Sequence, residues 1–145
     1  MCCQGWLTGE AWGHRFSPGR PCGWVGRQGC TIYENRPWSP CQTFECEWKR
    51  RASIDADLRP DLAGVIMVSR IQGTHEYIRV VESRGPVPDR IHVWAQQYSD
   101  QYPVNIVVPA EDGVCVYSRD QQFRTDIGEV YRITHTPVDT EPRSQ

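Results

Sequence analysis

The apolar positions of this chain change their period along its length. From Gly64 onward they read as strands around a helix. Gly64-Val65-Ile66-Met67-Val68-Ser69-Arg70-Ile71 is apolar on both faces at first, the pattern of a central strand. Tyr77-Ile78-Arg79-Val80-Val81-Glu82 alternates, and the Gln72-Gly73-Thr74 turn pairs it with the first strand. Pro86 and Pro88 break the chain. Asp89 then caps a predicted helix over about residues 89–100, where Ile91, Trp94, Ala95 and Tyr98 recur at helical spacing. Residues 104–108, 114–117 and 129–133 read as three further strands, with Glu111-Asp112-Gly113 turning the chain between the first two. The order ββαβββ predicts an α+β fold, a small, mostly antiparallel sheet with one covering helix.

The first third has no such period. Residues 1–21 read as irregular, because Gly5, Gly9, Gly13, Pro18, Gly19 and Pro21 interrupt every helical or strand window. Trp6, Leu7, Trp12 and Phe16 are too apolar to stay in water, so this arm is expected to pack onto the cysteine-rich stretch that begins at Cys22. Cys22 to Cys30 is a glycine loop, and Gly29 supplies the tight backbone turn that aims Cys30. Thr31-Ile32-Tyr33 favours extended structure, and Glu34-Asn35-Arg36-Pro37 is a turn. Ser39-Pro40 resembles an N-cap with proline at the first helical position, which predicts a helix over about 40–51 carrying Cys41, Phe44, Cys46 and Trp48. The chain thus divides into three segments: a cysteine-rich lobe over 1–51 packed on the sheet, an α/β body over 52–136 of the same domain, and a polar tail over 137–145.

Composition sharpens the division. Six of the seven cysteines fall in the first 46 residues and five of the six tryptophans in the first 48. A short unit rich in glycine and proline assembles little core, so it needs a cross-link or a metal. The net charge of −2 and a single cationic run, Lys49-Arg50-Arg51, argue against a nucleic-acid partner. No segment reaches the ~20 apolar residues of a membrane span, and residues 1–16 have neither the basic start nor the apolar run of a secretory signal. The expected compartment is therefore the cytoplasm, or a virion for a viral assembly component. In a reducing compartment, clustered cysteines bind metal or react more often than they form structural disulfides.

Thiolates hold zinc and iron–sulfur clusters because sulfur is soft and its charge offsets the metal's. Such a centre needs about four ligands from constrained loops. The candidates are Cys2, Cys3, Cys22, Cys30, Cys41 and Cys46, and glycine or proline sits beside nearly every one. Their spacing differs from the paired CxxC of a zinc ribbon. The alternative is a set of buried, reduced thiols that only pack. Cys2 and Cys3 cannot both point one way from extended backbone, since adjacent side chains diverge. The expected minimal ligand set is Cys3, Cys22, Cys30 and Cys41, with Cys46 as alternate, on the flanking turns together with the family resemblance that residues 29–46 carry. Cys115, between Val114 and Val116, reads as core, and His14 reads as a surface group or a further ligand. His75, His92 and His135 show no partner spacing. Arg36 is expected to satisfy loop carbonyls or to steady a thiolate.

The run Gly29-Cys30-Thr31-Ile32-Tyr33-Glu34-Asn35-Arg36-Pro37-Trp38-Ser39-Pro40-Cys41-Gln42-Thr43-Phe44-Glu45-Cys46 resembles the signature of the CxxCxxCC (YkgJ-like) zinc- or iron-chelating domain family. Cys2-Cys3 is similar to the closing pair of that family's N-terminal motif, and Cys22 to the cysteine that precedes the signature. Leu58-Arg59-Pro60-Asp61 and the strands after it are similar to short bacterial members. The upstream cysteines of the N-terminal motif are missing here, and Gln42 stands where the family carries arginine. The resemblance implies a centre of zinc or a [4Fe–4S] cluster, and four thiolates serve either. Closed cysteine coordination leaves no open position for substrate, so the centre is expected to be structural and the chain not itself an enzyme. Two other roles stay open: an accessory component of a larger, possibly viral, assembly, and a redox or methyl-transfer accessory acting with a partner enzyme.

Overall fold

The computed structural model describes residues 8–17, 19–82, 86–131 and 133. The fold is α+β, as the apolar pattern predicts. It divides into two compact units, Met1–Val68 with Val81–Gly85 and Ser69–Val80 with Pro86–Gln145. The division runs through a hairpin.

The first unit is built from short elements. Strands β1 (Gly9–Ala11) and β2 (His14–Phe16) form a hairpin where irregular chain was expected. Its two-residue turn places Trp12 and Gly13 at positive φ, 45° and 84°, the mirror-image turn that suits strand twist. A second small hairpin pairs β3 (Val25–Gly26) with β4 (Gly29–Cys30), and Gly29 has φ 106°. The run at Thr31–Tyr33 does not extend that strand, and Tyr33–Asn35 is a 3₁₀ turn. The helix expected over 40–51 is broken. A kinked turn spans Trp38–Gln42, with Ser39 extended and a cis peptide before Pro40. Only α1 (Glu47–Arg50) is regular, because Cys46 before it is extended and its side chain turns into an apolar cluster. The stretch read as a polar connection holds a 3₁₀ turn at Ala56–Leu58 and α2 (Pro60–Ala63), with Pro60 opening the helix and Gly64 ending it in left-handed conformation.

Strands β5 (Val65–Gln72) and β6 (His75–Glu82) form the expected hairpin and supply residues to both units. Helix α3 (Asp89–Gln101) follows, and β7 (Ile106–Ala110) then pairs parallel to β6, as an interposed helix permits. Strand β8 (Gly113–Tyr117) returns antiparallel to β7, completing a four-stranded sheet of order β5-β6-β7-β8.

The expected fifth strand at 129–133 does not form among the described residues. The chain instead forms α4 (Gln121–Gly128), and Ile133 alone bridges back to Val114. Asp120 caps α4 by accepting from the Gln122 and Phe123 amides, and Phe123 and Ile127 lie on its buried stripe. Tyr77, Val107, Val114 and Val116 meet that stripe in a buried cluster. The alternate residues Ile106, Val108, Cys115 and Tyr117 point to the opposite face. There α3 packs, its His92 bonded to the Tyr117 hydroxyl. The second unit thus has a helix on each side of its sheet.

Candidate metal centre

The cysteines of the first unit sort into two places. Cys22 is buried with Ala11 and Phe16, and Trp24, Val25 and Cys41 pack against that cluster. Cys30 lies directly across from Val25 in the β3–β4 register. Directly opposed residues of an antiparallel pair project to one face, so Cys30 stands on the hairpin face that Val25 presents to the Cys22 cluster. Cys46 belongs elsewhere: it is buried with Ile66 and Val68, flanked by Phe44, Trp48 and Val81. Cys2 and Cys3 lie outside the described residues. Among the described residues, no three His, Cys, Asp or Glu side chains converge closely enough to hold an ion. The structure therefore places Cys22 and Cys41 at one small cluster, sets Cys30 on the hairpin whose Val25 packs there, and puts Cys46 in a different cluster.

The walls of this cluster are held by indoles and by the 36–42 loop. Trp24 Nε1 donates to the Ala11 carbonyl at 2.8 Å, tying the β3 hairpin to β1. The His14 ring leans on the Trp24 indole, centroids 4.5 Å apart, and lies against Gly23. A Cβ at Gly23 would overlap His14 Nδ1 and sit 2.7 Å from Cε1, so any side chain beside Cys22 would have to displace the His14 ring. Gln42 donates to the Arg36 carbonyl at 2.8 Å and closes the loop that carries Cys41. Arg36 donates to the Tyr33 carbonyl at 3.1 Å and stacks its guanidinium 3.8 Å from the Tyr33 ring centroid. Arg36 thus satisfies a loop carbonyl, one of the roles expected of it.

Next to Cys46 the unit buries a charge. Glu47 accepts from Arg50 Nη1 at 2.7 Å and from Arg51 Nε at 2.6 Å. The Lys49-Arg50-Arg51 run thus has an internal carboxylate to answer, which its composition alone does not reveal.

The second unit holds polar groups that spacing could not find. His75 Nε2 lies 2.8 Å from Asp126 Oδ2, and its Nδ1 is 3.7 Å from Asp120. The hydrogen bonds from His75 and Gln122 hold the Asp126 carboxyl below its usual range. His92 Nδ1 meets the Tyr117 hydroxyl at 2.7 Å. Burial lowers the His92 pKa, against a smaller opposing pull from Asp89. Burial also pushes up the Tyr117 phenol and the Cys115 thiol. Cys115 is therefore a protonated core thiol and a poor nucleophile or ligand at neutral pH. These partners join residues tens of positions apart, and only the fold brings them together.

No helix among the described residues is long and apolar enough to cross a membrane. No protein-family model matches the chain, and neither a curated protein nor a solved structure matches it.

Proposed function

We propose that the cysteine-rich lobe binds zinc or an iron–sulfur cluster as a structural staple, with Cys22, Cys30 and Cys41 as ligands and Cys3 as the fourth. The observation that carries this reading is the gathering of Cys22, Cys41 and the Cys30-bearing hairpin around one cluster. Among the described residues that cluster has three buried members, few to hold the surrounding two- and three-residue strands by burial alone. Strand β1, which carries Ala11 into the same cluster, begins six residues after Cys3, within reach of an extended chain at ~3.3–3.6 Å per residue. The resemblance of Cys30–Cys46 to the YkgJ-like signature points the same way. Either centre would add its binding free energy to folding. Cys46 serves the neighbouring apolar cluster, which supports its place as alternate only.

Two results test this. Removing the metal by chelation should lower the urea midpoint of the lobe while α3, β7 and β8 keep their amide protection. Cys22→Ser, Cys30→Ser and Cys41→Ser should each lose bound metal, and Cys115→Ser should retain it. Equal metal content in all four variants would end the assignment.

One observation favours a second reading, an accessory component of a larger assembly. Trp12, Tyr33 and Trp38 expose broad aromatic faces on the lobe, Trp38 by 71%. Trp12 Nε1 donates to Asn35 O at 2.7 Å, which sets that indole beside the Tyr33 turn. This reading predicts that the Trp38 indole loses its acrylamide accessibility in the native complex. Undiminished quenching there would rule it out.

A further inference from the structure

In the second unit one guanidinium nitrogen lacks an acceptor among the described residues. Arg79 Nη1 is buried and has no hydrogen-bond partner among the described residues. A buried guanidinium N–H without an acceptor is costly, and native proteins seldom leave one. The guanidinium stacks over the Tyr131 ring at 4.6 Å. The Tyr131 hydroxyl is in turn 3.3 Å from the Tyr77 hydroxyl. Tyr77 and Arg79 are two apart on β6 and so share a face. The two-residue turn between β5 and β6 sets Arg70 on that face as well, opposite Tyr77. Burial and the Tyr131 hydrogen bond push the Tyr77 phenol up to about 12, and the charges that offset this are those of Arg79 and Arg70. Among the described residues, no carboxylate acts on the Tyr77 phenol. Arg79 and Tyr131 are each half-buried, so part of each side chain reaches solvent while Nη1 is enclosed.

We propose that Arg79, Arg70 and the Tyr77–Tyr131 hydroxyl pair bind a small oxyanion, a carboxylate or phosphate group. The planar guanidinium fork of Arg79 matches two oxygens of such a group. One hydroxyl of the pair donates to a remaining lone pair, the other's proton being used within the pair, and Arg70 adds charge. The site is independent of the cysteine lobe and stands whether or not that lobe holds metal.

The test is a titration of the full chain with inorganic phosphate, and separately with acetate, at ionic strength held constant by sodium chloride. The arginine Nε–H resonances are followed by NMR. The expected result is a saturable shift of the Arg79 signal with at least one anion. Arg79→Lys keeps the charge but not the fork and should weaken binding roughly ten- to a hundredfold. Tyr131→Phe keeps the stacked ring and should weaken it severalfold, which covers the case where the Arg79 variant folds poorly. A linear, unsaturated shift, or equal affinity in both variants, overturns the proposal. So does a change in the Arg79 signal of the anion-free protein on Asp139→Asn with Glu141→Gln, which would give the acceptor to the chain's own tail.

Discussion

Glu47 offers a sharp test of how the first unit stores its charge. Its side chain is 1% exposed, while those of Arg50 and Arg51 remain 49% and 31% exposed. Removing the carboxylate returns two guanidiniums to nearby water. Removing both arginines leaves a buried carboxylate with neither charged partner. These two losses are therefore unequal. Glu47→Met should cost about 0–1 kcal/mol, because an apolar side chain of similar size replaces a buried ion and its partners resolvate. Arg50→Met with Arg51→Met should cost about 3–5 kcal/mol, the usual penalty for an uncompensated buried charge. Arg50→Met alone should cost about 0.5–1 kcal/mol, since half of that bond is already in water. The triple variant, lacking all three groups, should recover most of the double variant's loss. Urea unfolding followed by tryptophan emission is the assay, because five of the six tryptophans lie in residues 1–48. If Glu47→Met proves worse than the double arginine variant, the burial asymmetry is not what governs the cluster.

Three further outcomes rest on the geometry of single side chains. Gly23→Ala should destabilise the lobe by about 1–2 kcal/mol by forcing the His14 ring off Trp24. In a His14→Ala background the same change should be neutral or stabilising by up to ~1 kcal/mol, so equal urea shifts in both backgrounds would refute the contact. Phe123→Ala should cost about 3–5 kcal/mol and strip amide protection from β7 and β8, because Phe123 is fully buried between the Tyr77 ring and Ile127; protection that survives would place the core elsewhere. His92 titrates below its unfolded value, so the unfolded chain binds the proton first. Stability should then decline as pH falls below about 6.5, and His92→Gln should flatten that decline in urea midpoints taken between pH 8 and pH 5.

The body was legible wherever apolar period and turn chemistry agreed. β5, β6, α3, β7 and β8 all fall within a few residues of their predicted places, because long strands and a 13-residue helix average over many side chains. The strand read at 129–133 shows the opposite case. Val130, Tyr131 and Ile133 are β-favouring residues in a short run, and α4 ends just before them. Its signals were present in Asp120 as cap and Phe123/Ile127 at helical spacing, but the segment is otherwise polar. The break at Ser39–Cys46 had no local signature of its own, because burial of Cys46 beside Ile66 and Val68 is a tertiary demand. For the candidate site, the motif singles out Cys22, Cys30 and Cys41; the fold puts Cys22 and Cys41 at one cluster and Cys30 across from Val25, which packs on it. The motif ranks Cys46 as an alternate but gives no sign that its side chain serves the apolar cluster of Ile66 and Val68. The Arg79 cluster was invisible in sequence, since its members come from β5, β6 and the chain beyond α4.

The central claim is that sulfur atoms from separate segments of the first unit meet at one inorganic centre. Metal analysis of anaerobically purified full chain, paired with thiol titration in the native state, tests it most directly. The account predicts stoichiometric zinc in a colourless sample, or stoichiometric iron with visible charge-transfer absorption, and Cys22, Cys30 and Cys41 unreactive until the metal is removed. A metal-free protein whose Cys30 and Cys41 react freely while the lobe stays folded would contradict it.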